Sequence, residues 1–458
     1  MLTHALCGIS GTIACTGMRW ILFMRRILTF VALLSCLLSS PVWPLGSITF
    51  LMWQPSHPQL WNELIATFER ETGIRVDREI GPNSSTASHA LLAQKLKNRD
   101  PEPDVFMMDV IWPPEFASAG WVHALDDRFS KTDQADFFPG AIAACTFRGR
   151  IYGVPFWTSG GLLYYRKDLL AKYGFTPPRT WWELVDQAKV ITRGERKTQP
   201  ALRGYSGQFK QYEGLVCNML EFILGNGGRL LQGRPATSTI VEPANLEAVE
   251  FVRSRLIGSV APRGVLTYEE PESLHMFIQG HAVFHRNWPY AWEISNNPRK
   301  SRIAGNVDIT VLPRFPGGRS VSTLGGWQFA ISRFSRKKHL AWKFVRFMTS
   351  PRIQKLLAIR TSQPPGRRSV YKDPDVLKKN PHFAKFMKVF ENAQPRPRLP
   401  LYPLYSDILQ RFLHRALTFP RSPLSGPARS ADRKVDELLE LTREAEMGIS
   451  REGSGHGR

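Results

Sequence analysis

The sequence is poor in the features that would announce an enzyme. It has five cysteines and no Cys-x-x-Cys, which removes zinc ribbons and thioredoxin-like redox sites. It has no GxxxxGK[ST] phosphate loop and no GxGxxG following a strand. The nearest approach to a nucleophile elbow, Gly204-Tyr205-Ser206-Gly207, fails the GxSxG pattern. His281 and His285 are four residues apart, but Ala-Val-Phe between them reads as strand. On a strand that spacing is about 13 Å, too far to share an ion, so no metal and no cofactor is expected. No second acid sits in an aromatic loop comparable to Asp109, so the sequence carries no positive signature of glycoside hydrolysis or of another enzyme, without excluding paired carboxylates. Acids are scarce overall, 39 against 61 Lys and Arg, for a formal charge of +22. The basic residues are spread along the chain rather than gathered in a stripe, so no nucleic-acid partner is expected.

What is present begins with an address label. From Met24, Arg25 and Arg26 precede the apolar run ILTFVALLSCLLSS and a small-residue zone near Gly46 and Ser47. That is a secretory signal pattern, so 1–47 is read as a signal segment and the protein as periplasmic or extracellular. Leu33-Leu34-Ser35-Cys36 also resembles a lipoprotein processing box, which would leave a lipid anchor on Cys36. Cleavage near Ser47 leaves Cys145 and Cys217, expected as two separate buried thiols.

With 458 residues, two lobes are the default. The mature part opens β-α-β: ITFLMW at 48–53, a helix over Leu60–Phe68 between Pro58 and Gly73, then IRVDREI at 74–80. A second helix over roughly 88–98 leads to a buried strand ending at Asp109. Strands alternating with helices imply a parallel, helix-covered sheet, whose ligands gather at the carboxyl ends of strands. Asp109 stands there. Thr180 and Glu183 form a capping-box pattern. The Gly- and Pro-rich stretches at 312–327 and 362–368 read as crossings between lobes. The tail at 448–458 reads as disordered.

Three Trp-bearing stretches, PFWTSGG at 155–161, RNWPYAW at 286–292 and LGGWQF at 324–329, offer ring faces, hydroxyls and glycines. Such a lining suits a sugar, whose C–H face stacks on aromatic rings while its hydroxyls need polar partners.

Several runs together carry a resemblance: PDVFMMDVIWPPEFASAGWVHALDD, GLLYYRKDLLAKYGF, QYEGLVCNMLEFILGNGG, RNWPYAW, TLGGWQFAIS and PRPRLPLYP. In order and spacing they resemble the solute-binding proteins of bacterial and archaeal ABC sugar importers, closest to the trehalose/maltose-binding type, over roughly 48–445. The resemblance implies an α/β, two-lobe periplasmic binding protein fold with hinge crossings and an interlobe ligand cleft. Residues 48–157 with 316–362 would form the N-terminal lobe, and 158–313 with 366–447 the C-terminal lobe. It implies a carbohydrate ligand such as trehalose or maltose, permease subunits and their ATPase as partners, and a monomer. Position by position it nominates Asp109 as a hydroxyl-binding carboxylate and Gly326 and Trp327 as a backbone donor and stacking face. It nominates Trp288 as the platform of the opposite lobe, Arg396 (Arg398 in the other register) as a hydroxyl ligand, and Trp157 as a further aromatic. The sequence departs from the family pattern at Ser159, where relatives commonly hold Asp, and at His57, where an acid is usual. Losing two charge-assisted acceptors weakens the case for the usual disaccharide and opens one for an anionic or phosphorylated sugar derivative. An exported carbohydrate-active enzyme is the alternative from another class.

Overall fold

A computed structural model describes residues 45–453 except Ser56, Asn83, Ser84 and Arg234, with 445–453 described by backbone alone. The basic and apolar stretch of the signal pattern and Cys36 lie outside the described residues. No helix among those described is long and apolar enough to cross a membrane.

The chain starts with β1 (Gly46–Trp53), α1 (Pro58–Thr72), β2 (Ile74–Gly81), α2 (Ser85–Lys97) and β3 (Val105–Asp109). Pro58 opens α1 and Gly73 closes it in the left-handed region at φ 66°, donating its N–H to the Glu69 carbonyl. A helix needs such a residue after its last turn to satisfy its free carbonyls, and glycine takes that φ without strain. Leu60, Trp61, Leu64, Ile65 and Phe68 turn one buried face onto the sheet. There Trp61 meets Phe50 at 6.1 Å between ring centroids, and Phe156 at 5.6 Å. Each such side chain, fully buried, contributes about 1.5–3 kcal/mol.

After β4 (Val154–Gly160) the chain turns at Gly161 into β5 (Leu162–Arg166), which belongs to a different sheet. β4 stays in the first sheet as far as Gly160, three residues beyond the lobe boundary expected after 157. The second lobe holds α3 (Trp181–Glu195), β6 (Arg203–Ser206), α4 (Glu213–Gly225), α5 (Glu270–Ile278), β7 (Ala282–Asn287) and β8 (Val307–Thr310). Thr180 accepts from the Glu183 N–H as expected of a capping box. The Glu183 carboxylate, however, reaches back to the Arg179 N–H rather than to that of Thr180. The chain returns as β9 (Ser322–Ile331) and α6 (Lys338–Met348). It continues through α7 (Phe383–Glu391) and β10 (Ala393–Gln394) to α8 (Tyr402–Thr418) and α9 (Ser425–Gly453).

The first sheet has the order β10-β9-β3-β1-β2, with β4 also pairing β9. β1, β2 and β3 are parallel, as their helical crossovers require, while β9 runs antiparallel to both β3 and β4. The parallel expectation therefore holds for β1, β2 and β3, while β9 and β10, parallel to each other, run against β3 and β4. β9 enters from the other lobe, so no βαβ crossover dictates its direction. The second sheet has the order β8-β5-β7-β6. Each lobe has its own apolar core. A third cluster joins them: Phe138 packs on Tyr371 at 5.5 Å and on Phe390 of α7 at 5.7 Å. Leu162 and Tyr164 of the second sheet belong to the same cluster. Part of 366–447, expected wholly in the second lobe, thus packs on both. The tail expected to be disordered from 448 is helical backbone as far as Gly453, and 454–458 lie outside the described residues. Cys145 and Cys217 are buried and unbridged.

Candidate functional site

Register builds the first wall. Asp109 at the end of β3 sits directly opposite Trp327 of β9, and Trp327 sits opposite Trp157 of β4. Residues opposite one another in antiparallel strands share a face, so a carboxylate and two indoles form one row across three strands. The next position on that face pairs Gly325 with Ser159. Two further tryptophans complete the wall. Trp53, at the carboxyl end of β1, lies 4.3 Å from Trp327 and 4.9 Å from Trp157 between centroids. Trp112 lies 5.4 Å from Trp327. The sequence reading missed both, although Trp53 closes ITFLMW at the same strand edge where Asp109 was found.

Gly326 is glycine for a local reason. Its φ is +133°, and a Cβ there would lie 2.5 Å from the Trp157 carbonyl oxygen. A side chain would therefore push β9 away from β4 at the row that aligns the two indoles.

The second wall comes from the other lobe. Trp288 follows β7, and its ring would meet a Cβ on Gly325 at 3.0 Å. Ser159, Gly325 and Trp288 thus converge where the lobes meet. Trp288 Nε1 donates to Glu270 Oε1 at 3.0 Å, and Tyr212 donates to Glu270 Oε2 at 2.8 Å. Glu270 is a carboxylate at this wall that the resemblance did not nominate.

Arg396 closes the site from the segment after β10. It is 5% exposed, and its Nη1 donates to Glu213 Oε1 at 2.8 Å. Its Nη2 lies 3.4 Å from both Asp109 Oδ1 and the Leu324 carbonyl. Asp109 belongs to one lobe and Glu213 to α4 of the other, so this guanidinium ties the two. Asp109 also accepts from Ser85 Oγ at 3.1 Å and the Ile111 N–H at 3.3 Å. Burial pushes the Asp109 carboxyl above its ordinary range; Arg396 opposes that shift and Glu213 adds to it. Arg396 Nε is buried without a partner among the described residues, one donor left over from the carboxylate pairings. Beside it, Val110, Ile111, Ala144 and Leu324 wall a void of only ≈ 10 Å³. That is room for about one water. Arg398 donates to the Ala143 carbonyl, lines the same small void and also borders an opening of ≈ 270 Å³ with Thr146–Gly149.

His57 stands at the N-cap of α1, at the same carboxyl edge of the sheet, with no side-chain cap hydrogen bond. The described contacts do not join it to the other nominated residues. His285 is buried in β7, with Nδ1 3.2 Å from the Ser206 carbonyl and Nε2 2.9 Å from Asn287 Nδ2. Both ring nitrogens are used within the lobe core, and burial lowers its pKa to about 3. Glu213 and Glu221 escaped the sequence reading although a signal existed: two acids in the largely apolar helix EGLVCNMLEFILG have to find buried partners.

Comparison with known proteins accords with this geometry. A family model described as bacterial extracellular solute-binding protein matches residues 54–355. A probable ABC transporter-binding protein of Deinococcus radiodurans is 37% identical over 367 residues, covering 78% of this chain and 85% of the relative. The maltose-bound MalE3 of T. maritima superposes with a TM-score of 0.78 at 37% identity, covering 86% of this chain and 100% of that one. A ribitol complex of a solute-binding protein from Agrobacterium radiobacter shares the fold, with a TM-score of 0.77 at 23% identity over 86% of this chain and 99% of that one. With two α/β lobes, a cleft between them and a family match over more than half its length, this chain belongs to the bacterial extracellular solute-binding proteins.

Proposed function

We propose that the protein is the solute-binding component of an ABC importer and takes a neutral sugar or polyol, with maltose-type disaccharides the leading candidates, in the cleft between its lobes. One observation carries the reading: the row Asp109–Trp327–Trp157 on one lobe faces Trp288 on the other across the crossings at Gly161 and Gly325. Indole faces would cover the apolar side of the ring. Asp109, Ser159, Glu270 and the unpaired Arg396 Nε would meet hydroxyls, and Gly326 would present backbone. Lobes parting about the crossings would admit the ligand, and closing would present the surface read by permease subunits and their ATPase. The family match supports a protein that binds its ligand and hands it on rather than one that transforms it. Export by the N-terminal segment would put it in the periplasm or outside the cell. The maltose bound to the T. maritima protein and a mannitol-binding relative from Pseudomonas aeruginosa (25% identical over 264 residues) support a carbohydrate or polyol ligand.

Calorimetry of the mature protein against maltose, trehalose, mannitol, ribitol and glucose 6-phosphate tests this. Saturable binding of a neutral sugar or polyol is expected. Binding of the phosphate ester alone would transfer the site to anionic sugars, the chemistry that Ser159 and His57 admit in place of acids. Heat from none of them would overturn the carbohydrate assignment.

A further inference from the structure

Trp288 is fixed by groups of which the ligand reading uses only Glu270. The Arg286 guanidinium carbon lies 4.0 Å from its ring centroid. Its N–H is held by Glu270, one ring edge abuts Gly325, and its carbonyl accepts from Tyr164 OH at 2.7 Å. Arg286 is itself buried. It forms a two-pronged pair with Glu221, Nε to Oε2 at 2.9 Å and Nη2 to Oε1 at 2.5 Å, with both side chains 1% exposed. Gln208 brackets the same arginine, its Nε2 donating to the Arg286 carbonyl at 3.0 Å.

Stability is a poor reason for this pair. Taking two charges out of water costs about what their attraction returns, and apolar residues of the same volume often do as well. Its position is more informative. Glu221 Oε1 also accepts the Thr323 N–H at 3.1 Å, while Thr323 Oγ1 donates to the Cys217 carbonyl at 2.8 Å. Ser322 Oγ donates to the Gly161 carbonyl at 2.7 Å, and a Cβ on Gly161 would lie 2.0 Å from Glu221 Oε1. The ion pair is therefore wedged against both crossings. Thr323 and Gly325 lie on one strand two residues apart, the first bonded to Glu221 and the second touching Trp288. Thr323, Glu221, Arg286, Trp288 and Gly325 close a ring of contacts.

We propose that the buried Glu221–Arg286 pair is a positioning device for Trp288, backing one face of the indole so that the other is presented to ligand, and setting the ring relative to the interlobe crossing rather than to its own lobe alone. This rests on the reading of Trp288 as a ligand platform. A twist of the crossing on closure would move Gly325 against one edge of the ring and draw Glu221 and Arg286 with it, coupling cleft geometry to lobe angle.

The test labels the protein with 5-fluorotryptophan and assigns the Trp288 ¹⁹F resonance by its loss in Trp288→Phe. Two variants are compared with wild type in the absence of sugar. Arg286→Lys keeps the charge pair but loses the planar stacked group, and Glu221→Gln/Arg286→Met removes both charges together. The Trp288 line is expected to move or split in both, while the line of Trp181, stacked elsewhere on Phe222, stays in place. Maltose affinity should fall roughly fivefold to thirtyfold, the range of a desolvated cation–π contact. A Trp288 line unmoved in folded Arg286→Lys overturns the proposal even if the melting temperature drops, because a merely structural pair would lower stability without disturbing the indole. If wild type binds no sugar, the transport reading falls while the resonance comparison still decides the positioning.

Discussion

Replacing Arg396 by Met should cost about 3 kcal/mol of stability at pH 7.5, the lower end of the range for removing one partner of a buried ion pair. The figure follows from what the guanidinium leaves behind. Arg396 and its partners Asp109 and Glu213 are 3%, 12% and 13% exposed at their side chains. Neither acid would be stranded completely. Glu213 keeps Tyr402 OH at 2.6 Å and the Ser406 hydroxyl, and Asp109 keeps Ser85 and the Ile111 N–H. Those residual donors argue for the low end of the range. The loss should also depend on pH. The Asp109 carboxyl is already raised by burial, and Arg396 is the main group holding it down. A carboxyl whose folded pKa lies above its unfolded value destabilises the fold at high pH, and the penalty fades as pH falls through the folded pKa. Urea unfolding of wild type, Arg396→Met and Arg396→Met/Glu213→Gln at pH 7.5 and 5.0 measures this. The single variant should regain part of its deficit at the lower pH, and the second substitution should recover part of it at pH 7.5. A deficit below about 1 kcal/mol, or one indifferent to both, would refute the account of Arg396 as a clamp between buried carboxylates.

Trp327→Ala should weaken sugar binding by about 1–3 kcal/mol through lost stacking and apolar contact, and an unchanged dissociation constant would remove Trp327 from the site. Gly326→Ala should destabilise the fold by roughly 2 kcal/mol or more, since φ +133° is hostile to a side chain and the Trp157 carbonyl cannot yield; a thermal melt within a degree of wild type would contradict it. His285 should make the fold acid-sensitive. Its folded pKa of about 3 lies below the unfolded value, so protons favour the unfolded chain increasingly from about pH 6.5 down to 3, by roughly 2 kcal/mol at pH 5. Comparing pH 7.5 with pH 5, His285→Gln should shrink the stability change by that amount, and an identical pH slope in the variant would count against the buried neutral imidazole.

Local chemistry was legible in the sequence wherever neighbours along the chain suffice. Pro58 and Gly73 bound α1, the apolar spacing over Leu60–Phe68 faces it inward, and Thr180 accepts the cap bond of α3. The end of β3 placed Asp109 at the carboxyl edge of the sheet because helical crossovers force β1, β2 and β3 to run the same way. The family followed from runs long enough to carry their order. Pairing across the fold was beyond the sequence. Trp157 and Trp327 are separated by 169 intervening residues, yet antiparallel register sets them side by side, with Trp53 and Trp112 against them. Likewise a charged residue in an apolar helix says only that it needs a partner. That Glu213 takes Arg396, and Glu221 takes Arg286 beneath the crossings, depended on packing between lobes. By itself the sequence determined the elements, the two-lobe class and a list of aromatic and polar candidates. Tertiary structure alone decided which of them touch, because register and burial are set by contacts between residues that the chain brings together only once it has folded.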